Sequence, residues 1–199
     1  VRENPVMTDS SVDLVAFVGL GAMGAPMCAN LAGKSPVPVL AYDLNVDAVA
    51  SAVRAGAVEA EGLAAVTEAD IIFVCVPGED ETRAVCLGPS GLCDQARSDQ
   101  VVVDCTTATV AVNLDVAEAL TAKGAHFADA PVARGVPNAI EGTLSITVGA
   151  AKETFSRIAP WLEYMGSDVA YCGPVGTGTV MKLMNLSLIR ISATTRRSA

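Results

Sequence analysis

The stretch Val12-Asp13-Leu14-Val15-Ala16-Phe17-Val18-Gly19-Leu20-Gly21-Ala22-Met23-Gly24 decides the reading of this chain. Its apolar run is too short for a helix and reads as a buried strand. The run stops on glycines spaced Gly19-x-Gly21-x-x-Gly24. A helical period through Met27, Leu31 and Ala32 follows, ended by Gly33-Lys34-Ser35-Pro36. Strand, glycine turn and helix in this order make a receptor for a pyrophosphate. Gly19 supplies the tight turn, Gly21 leaves phosphates room against the backbone, and Gly24 lets helix and strand pack closely. With Ala22 and Met23 these residues are the candidate dinucleotide-binding loop. The plainer alternative is a glycine turn that serves packing alone.

Outward from this unit the alternation continues. Strands are expected at 38–43, near 57–58, and at 70–76, 101–105, 126–130, 143–148 and 169–171. Helices are expected at 46–55, 62–68, 79–87, 109–123 and 151–165, the last with a break near Pro160. This order predicts an α/β domain over 12–175, a mostly parallel sheet with helices on both faces. Residues 1–11 read as a flexible leader. After Gly176-Thr177-Gly178-Thr179, residues 176–190 read as a helix whose stretch 180–189 is apolar around much of its circumference and seeks a cover. A homo-oligomer through that helix is one way to supply it. Residues 191–199 read as a frayed tail.

Hydrophobic residues make up 51% of the chain and charged residues 18%, which places it among folded globular domains. A formal net charge of -9 argues against a nucleic-acid partner, whose phosphates need basic clusters. The cysteines at 28, 75, 86, 93, 105 and 172 form no CxxC pair and several lie in apolar runs, the pattern of free thiols in a reduced, cytoplasmic setting. The first ten residues lack the apolar core of a secretory signal, and no apolar run reaches the length of a membrane span. His126 is the single histidine, so neither a His-rich metal site nor a Ser-His-Asp triad is expected, and no metal is predicted.

Ligands of open α/β sheets sit beyond the carboxyl ends of the strands, and several residue types useful for chemistry fall there. Asp43 ends the second strand, where a carboxylate accepts hydrogen bonds from ribose hydroxyls and repels a 2′-phosphate. Leu44 and Asn45 follow rather than Arg, and Arg54 is the nearest basic residue beyond them, so NAD is expected over NADP. Val76 and Pro77 close another strand and line the cofactor crevice. Thr106 is placed against cofactor and substrate alike. Thr107 beside it reads either as a substrate-binding hydroxyl or as the N-cap of the helix behind. Cys75 reads as a buried thiol without a basic partner. Arg134 and Gly135 follow another strand end; the guanidinium either clamps a carboxylate or is a solvated loop arginine. Lys182, among Val180, Met181, Leu183 and Met184, is either a desolvated amine fit for proton transfer or a residue that snorkels to water. Asn185 shares its helix face.

Taken together the motifs resemble the β-hydroxyacid dehydrogenase family, the group containing 3-hydroxyisobutyrate dehydrogenase and tartronate semialdehyde reductase. Gly19-Leu20-Gly21-Ala22-Met23-Gly24-Ala25-Pro26-Met27 matches the family's opening signature. Asp104-Cys105-Thr106-Thr107 is similar to its D-x-S-T segment, Asp129-Ala130-Pro131-Val132 to its D-A-P-V segment, and Gly176-x-Gly178-x-x-x-Lys182 to the approach to its catalytic lysine. The resemblance runs from about Val12 to Asn185. It implies a Rossmann-type fold, NAD as cofactor, a small anionic hydroxy acid or semialdehyde as substrate, and Lys182 as the general base toward the substrate hydroxyl. The implied substrate contacts are Thr106, Thr107, Arg134, Gly135 and Asn185.

Three departures stand out. Ala133-Arg134-Gly135 follows D-A-P-V where the family commonly has Ser-Gly-Gly, as in a subgroup resembling sulfolactaldehyde and succinic semialdehyde reductases. Leu186 stands where an Asn commonly contacts substrate. The family's all-helical second domain does not follow, so a shortened and weakly active form is expected. A dinucleotide-binding module without turnover, or a remnant without function, are the alternatives to an enzyme.

Overall fold

The computed structural model describes residues 12–185. In chain order the elements are β1 (Val15–Val18), α1 (Gly24–Lys34), β2 (Val39–Tyr42), α2 (Val46–Arg54), β3 (Val58–Glu59), α3 (Leu63–Val66), β4 (Ile71–Val74) and α4 (Glu79–Leu87). There follow α5 (Leu92–Gln95), β5 (Val101–Asp104), α6 (Val110–Thr121), β6 (His126–Asp129), β7 (Val132–Ala133) and α7 (Gly135–Glu141). Then come β8 (Leu144–Gly149), α8 (Lys152–Leu162) and β9 (Gly166–Gly173), and a last helix runs over 177–185. The expectations for 1–11 and 186–199, including Leu186 and the tail, lie outside the described residues.

The sheet runs β3-β2-β1-β4-β5-β6-β8-β7, with β9 on β8. From β3 to β6 every pairing is parallel, and β8 then turns antiparallel to β6 and β7 while β9 follows β8 in parallel. The reversal of winding at β1, between β2 and β4, creates a crevice at the carboxyl ends of the central strands. This is the Rossmann-type arrangement that the alternation implied.

The central strands are short and apolar because both of their faces are covered. Every residue of β1 and β4 is buried. On one face Phe17 and Phe73 stack at 6.1 Å between ring centres, and Met27 and Leu31 of α1 pack with Ile158 and Leu162 of α8. On the other face Ala16, Val18, Ile72 and Val102 meet Cys86 of α4 and Val112, Val116 and Leu120 of α6. Each half-buried helix thus finds a sheet face that alternate strand residues have already made apolar.

Several local readings need correction. The loop expected after Asp129 holds the short strand β7 and the helix α7, both too brief to leave a periodic signal. Pro160 does not break α8, because it sits in the last turn of a helix that continues to Leu162. The N-cap of α6 is Thr109, whose hydroxyl accepts the Val112 N–H at 3.4 Å, so Thr107 is not the cap. His126 starts β6 at the surface, facing Asp99 at 4.0 Å.

Two glycines of α1 separate packing constraint from helix propensity. A Cβ on Gly24 would stand 1.9 Å from the Gly19 carbonyl oxygen, whereas one on Gly33 would meet nothing within 4 Å. Gly24→Ala is therefore expected to destabilise by about 1–3 kcal/mol through overpacking. Gly33→Ala should stabilise by about 0.5–1 kcal/mol through lost chain freedom. Urea denaturation of the two variants checks both signs.

Candidate functional site

The crossing of β1 into α1 is made entirely of backbone. Gly19 holds φ +92°, and a Cβ there would lie 2.2 Å from the carbonyl oxygen of Cys75 at the end of β4. Gly19 N–H donates to the Tyr42 carbonyl at 2.9 Å, which ties the turn to β2 as well. At Gly21, by contrast, a Cβ would meet no atom within 4 Å. Two glycines are thus demanded by protein packing, and the third opens on empty space. Met23, the N-cap of α1, makes no side-chain cap, so no side chain covers the helix start; Ala25 N–H is spent on the Gly21 carbonyl at 3.0 Å and Pro26 carries none, which leaves the Gly24 amide to face a ligand.

That space is a cavity of about 930 Å³. Asp43, Leu44 and Leu63 line one end; Gly21, Ala22, Met23 and Gly24 form a wall; Val76, Pro77, Thr106 and Thr107 lie at the ends of β4 and β5. Val132, Gly135 and Lys182 close the far end. Of the residues picked out from the sequence, all reach the cavity except Arg134 and Asn185.

Asp43 does more than face a ligand. Its Oδ2 accepts the Leu20 N–H at 2.5 Å and its Oδ1 the Asn45 N–H at 2.8 Å, so the carboxylate braces the glycine loop it adjoins. Arg54 sits in the last turn of α2 and donates to Ser51 Oγ at 2.7 Å. The segment from Asp43 to Val46 carries no cation of its own.

At the other strand ends a buried carboxylate sets a hydroxyl. Asp104, 1% exposed, accepts the Thr106 N–H at 2.8 Å, and Thr106 Oγ1 accepts the Val76 N–H at 3.1 Å. Burial pushes the Asp104 carboxyl up to about 6 against the pull of its hydrogen bonds from Thr106 and Thr82.

Lys182 Nζ donates to Thr107 Oγ1 and to the Val132 carbonyl, each at 2.6 Å. The amine therefore points back to the cavity instead of snorkelling. Desolvation lowers its pKa from the ordinary lysine value, partly opposed by the thiols of Cys75 and Cys105. Cys75 lines the cavity, with its thiol pushed up to about 12 by burial and then by Asp104, which favours the protonated thiol over the thiolate. The basic partner not seen for it in the sequence is Lys182, which opposes that shift.

Arg134 is directed elsewhere. Its guanidinium donates to Asp168 Oδ2 at 3.1 Å, to the Thr143 carbonyl at 2.9 Å and to Ser167 Oγ at 3.2 Å, along the β8–β9 edge. Asn185 is exposed at the end of the described helix. Val180, Met181, Leu183 and Met184 on that helix are 41–55% exposed.

Sequence reasoning missed Asp129. This residue is 1% exposed and accepts the N–H groups of Gly176 at 2.6 Å and Thr179 at 2.7 Å, at the entry to the helix that carries Lys182. A carboxylate at a strand end, ahead of a glycine-rich helix start, is the signal that would have found it.

Comparison with known proteins agrees with this geometry. Residues 14–173 match the NAD binding domain of 6-phosphogluconate dehydrogenase. The chain is 38% identical over 176 residues to 2-(hydroxymethyl)glutarate dehydrogenase of Eubacterium barkeri, covering 88% of this chain and 58% of that protein. Among solved structures, the 3-hydroxyisobutyrate dehydrogenase of Mycobacterium tuberculosis with L-serine superposes with a TM-score of 0.83 at 31% identity, over 90% of this chain and 60% of that one. Psf3 in complex with NADP+ and 2-OPP superposes with a TM-score of 0.81 at 31% identity, over 86% and 61%. The chain thus spans about three fifths of the length of these relatives. The expected kinship with hydroxyacid dehydrogenases is met, and the chain belongs to the family of the NAD-binding domain of 6-phosphogluconate dehydrogenase.

Proposed function

We propose that this chain is the cofactor-binding and proton-transferring part of an NAD-dependent oxidoreductase acting on a small hydroxy acid or its semialdehyde. The observation that carries the reading is the Lys182 amine, desolvated and held on Thr107 and Val132 at the end of the cavity away from Asp43. The cavity fits a dinucleotide: Gly21 is bare of neighbours, the start of α1 is uncapped by any side chain, and Asp43 offers acceptors at the end away from Lys182. A bound nicotinamide supplies or takes up the hydride.

The residues of the chain handle the proton. With two donor directions spent on Thr107 and Val132, the remaining tetrahedral position of Lys182 Nζ carries either a third proton or a lone pair. As neutral amine it takes the proton of a substrate hydroxyl; as ammonium it protonates the oxygen of a carbonyl being reduced. Thr106 and Thr107 offer hydroxyls to the substrate, and Gly135 leaves the wall beside them open to its acid group. Arg134 reaches that group only by giving up Asp168, Ser167 and the Thr143 carbonyl, and Asn185 only by turning in from its exposed position. The free cysteines fit a reducing, cytoplasmic compartment. No described helix is long and apolar enough to cross a membrane. The exposed face of the last helix is where the homo-oligomer reading attaches.

Dinucleotide binding is expected from the 199-residue chain itself, because the glycine loop and Asp43 both lie in its first βαβ unit. Gly21→Ala should keep the fold and weaken NADH binding by roughly tenfold or more, since its methyl takes the space left for phosphate. Fluorescence titration beside a thermal melt separates the two effects.

NADH should bind more tightly than NADPH, because Asp43 meets the 2′-position with a charge and no Lys or Arg follows it up to Val46. Asp43→Asn should narrow the gap, and the same titration with both cofactors reads it. Tighter binding of NADPH by the unmutated chain would count against the assignment.

Turnover of hydroxy acids, in this chain or one extended to the length of its relatives, should fall by about 10²–10⁴ in Lys182→Ala, with NADH affinity unchanged. The sign of the pH dependence follows from the lowered amine pKa. Oxidation needs the neutral amine, so its rate rises with pH through a value below that of ordinary lysine. Reduction needs the ammonium, so its rate falls through the same range. Steady-state profiles in both directions check the pair of slopes.

A further inference from the structure

The carboxylate of Asp129 lies 47 and 50 residues in sequence from the two amides it binds, and it caps their helix from outside. Oδ1 holds Gly176 and Oδ2 holds Thr179, so both oxygens are committed to the entry and first turn of helix 177–185. Thr179 is fully buried, and its Oγ1 accepts Asn113 Nδ2–H from α6 at 2.9 Å. On the far side Thr147 Oγ1 of β8 donates to the Gly178 carbonyl at 2.9 Å. Close approach is possible only because two residues lack side chains. A Cβ on Gly149 would lie 2.3 Å from Asp129 Oδ1, and one on Gly178 would lie 2.8 Å from the Asp129 carbonyl oxygen.

Lys182 stands three residues beyond Thr179, one turn further along the same helix face. The pose of that first turn therefore sets where a flexible four-carbon side chain starts. We propose that Asp129 is a positioning residue for Lys182: by pinning the first turn of the helix to the end of β6, it keeps the amine on Thr107 and Val132, with Thr179 and Asn113 as its buttress. The kinetic consequence rests on the proton-transfer role given to Lys182 above, but the placement of the amine does not.

The test uses the full chain and four proteins: unmutated, Asp129→Asn, Thr179→Val and Thr179→Ser. Asn keeps the volume at 129 but turns an N–H₂ group on one of the two backbone donors. Val removes the Thr179 hydroxyl and keeps its backbone N–H, while Ser keeps both. Lys182 is labelled competitively with acetic anhydride across pH, and its reactivity is followed by mass spectrometry. The titratable groups facing the amine are Cys75 and Cys105, and those facing Asp129 are Asp104 and Cys172. All four stay in place in every variant.

Asp129→Asn and Thr179→Val should move the Lys182 labelling curve up toward the ordinary value of 10.5 as the amine swings into water. Thr179→Ser should leave it where it was. NADH affinity should hold within about twofold, because the glycine loop and Asp43 lie on other elements. Where turnover is measured, kcat should drop by about tenfold or more with KM little changed. A role in folding alone would lower the melting temperature and leave the labelling curve of the folded protein unmoved, and that result overturns the proposal. Should Asp129→Asn fail to fold, the contrast between Val and Ser at 179 decides by the same readout. If Lys182→Ala keeps full turnover, the proposed function fails, while the labelling curves still settle what holds the amine.

Discussion

The architecture depends on a place where three backbones meet with no side chain between them. The turn after β1 passes so close to the end of β4 and to the start of α1 that a Cβ at Gly19 or Gly24 would stand within 2.2 Å of a carbonyl oxygen. That contact brings the amide end of α1 to the crevice between β2 and β4. From it follow the position of Asp43, which hydrogen-bonds back to Leu20, and of Val76 and Pro77, which follow the strand that the turn touches. The same constraint explains why α1 covers the sheet at close range with small residues such as Ala25 and Ala32, while Met27 and Leu31 fill the core.

A second device links the sheet to chemistry. Asp104 and Asp129 are register partners on β5 and β6, both on the face that carries α6, and both are 1% exposed. Burying two carboxylates side by side is costly unless each is hydrogen-bonded. Each is held by backbone amides of the segment it controls: Asp104 by Thr106, Asp129 by Gly176 and Thr179. The cost is accepted where strand ends turn into site. One carboxylate sets the Thr106 hydroxyl under Val76, and the other seats the helix of Lys182. The raised pKa of both groups reports that burial, which their hydrogen bonds only partly offset.

How much of this was legible in the sequence depends on the range of the interaction that decides each feature. The glycine loop, the buried strands and the α1 period are local, and Gly19-x-Gly21-x-x-Gly24 after an apolar run carries them almost unaided. The four-residue helix α5 and the two-residue strand β7 are not local, because packing rather than period makes them, whereas α3 falls within the helix expected at 62–68. Arg134 shows the difference well. Its φ of +84° is uncommon for a residue with a Cβ. It starts α7 there, and the guanidinium turns to Asp168 on β9, a strand far along the chain. Nothing in Ala133-Arg134-Gly135 announces that partner. Asp129 stands out as a carboxylate at a strand end, but its pairing is not local, since its two amide donors come from a distant helix start.

The ambiguity over Lys182 is resolved by the same logic of close approach. A lysine on an apolar helix ordinarily carries its charge to water along a flexible stem. Here the helix is drawn so tightly onto the strand ends that a Cβ on Gly178 would lie 2.5 Å from the Thr147 carbonyl oxygen. With the helix axis this near the sheet, the stem of Lys182 has the cavity on its inner side and two oxygens, of Thr107 and Val132, within reach at 2.6 Å. Those oxygens satisfy the amine but bring no formal charge, so hydrogen bonding holds the group in place while desolvation still lowers its pKa. A carboxylate in the same position would have stabilised the ammonium and tied up the proton. Asp104 and Asp129 are instead turned onto backbone amides, which leaves the lysine anchored on neutral oxygens and half-buried.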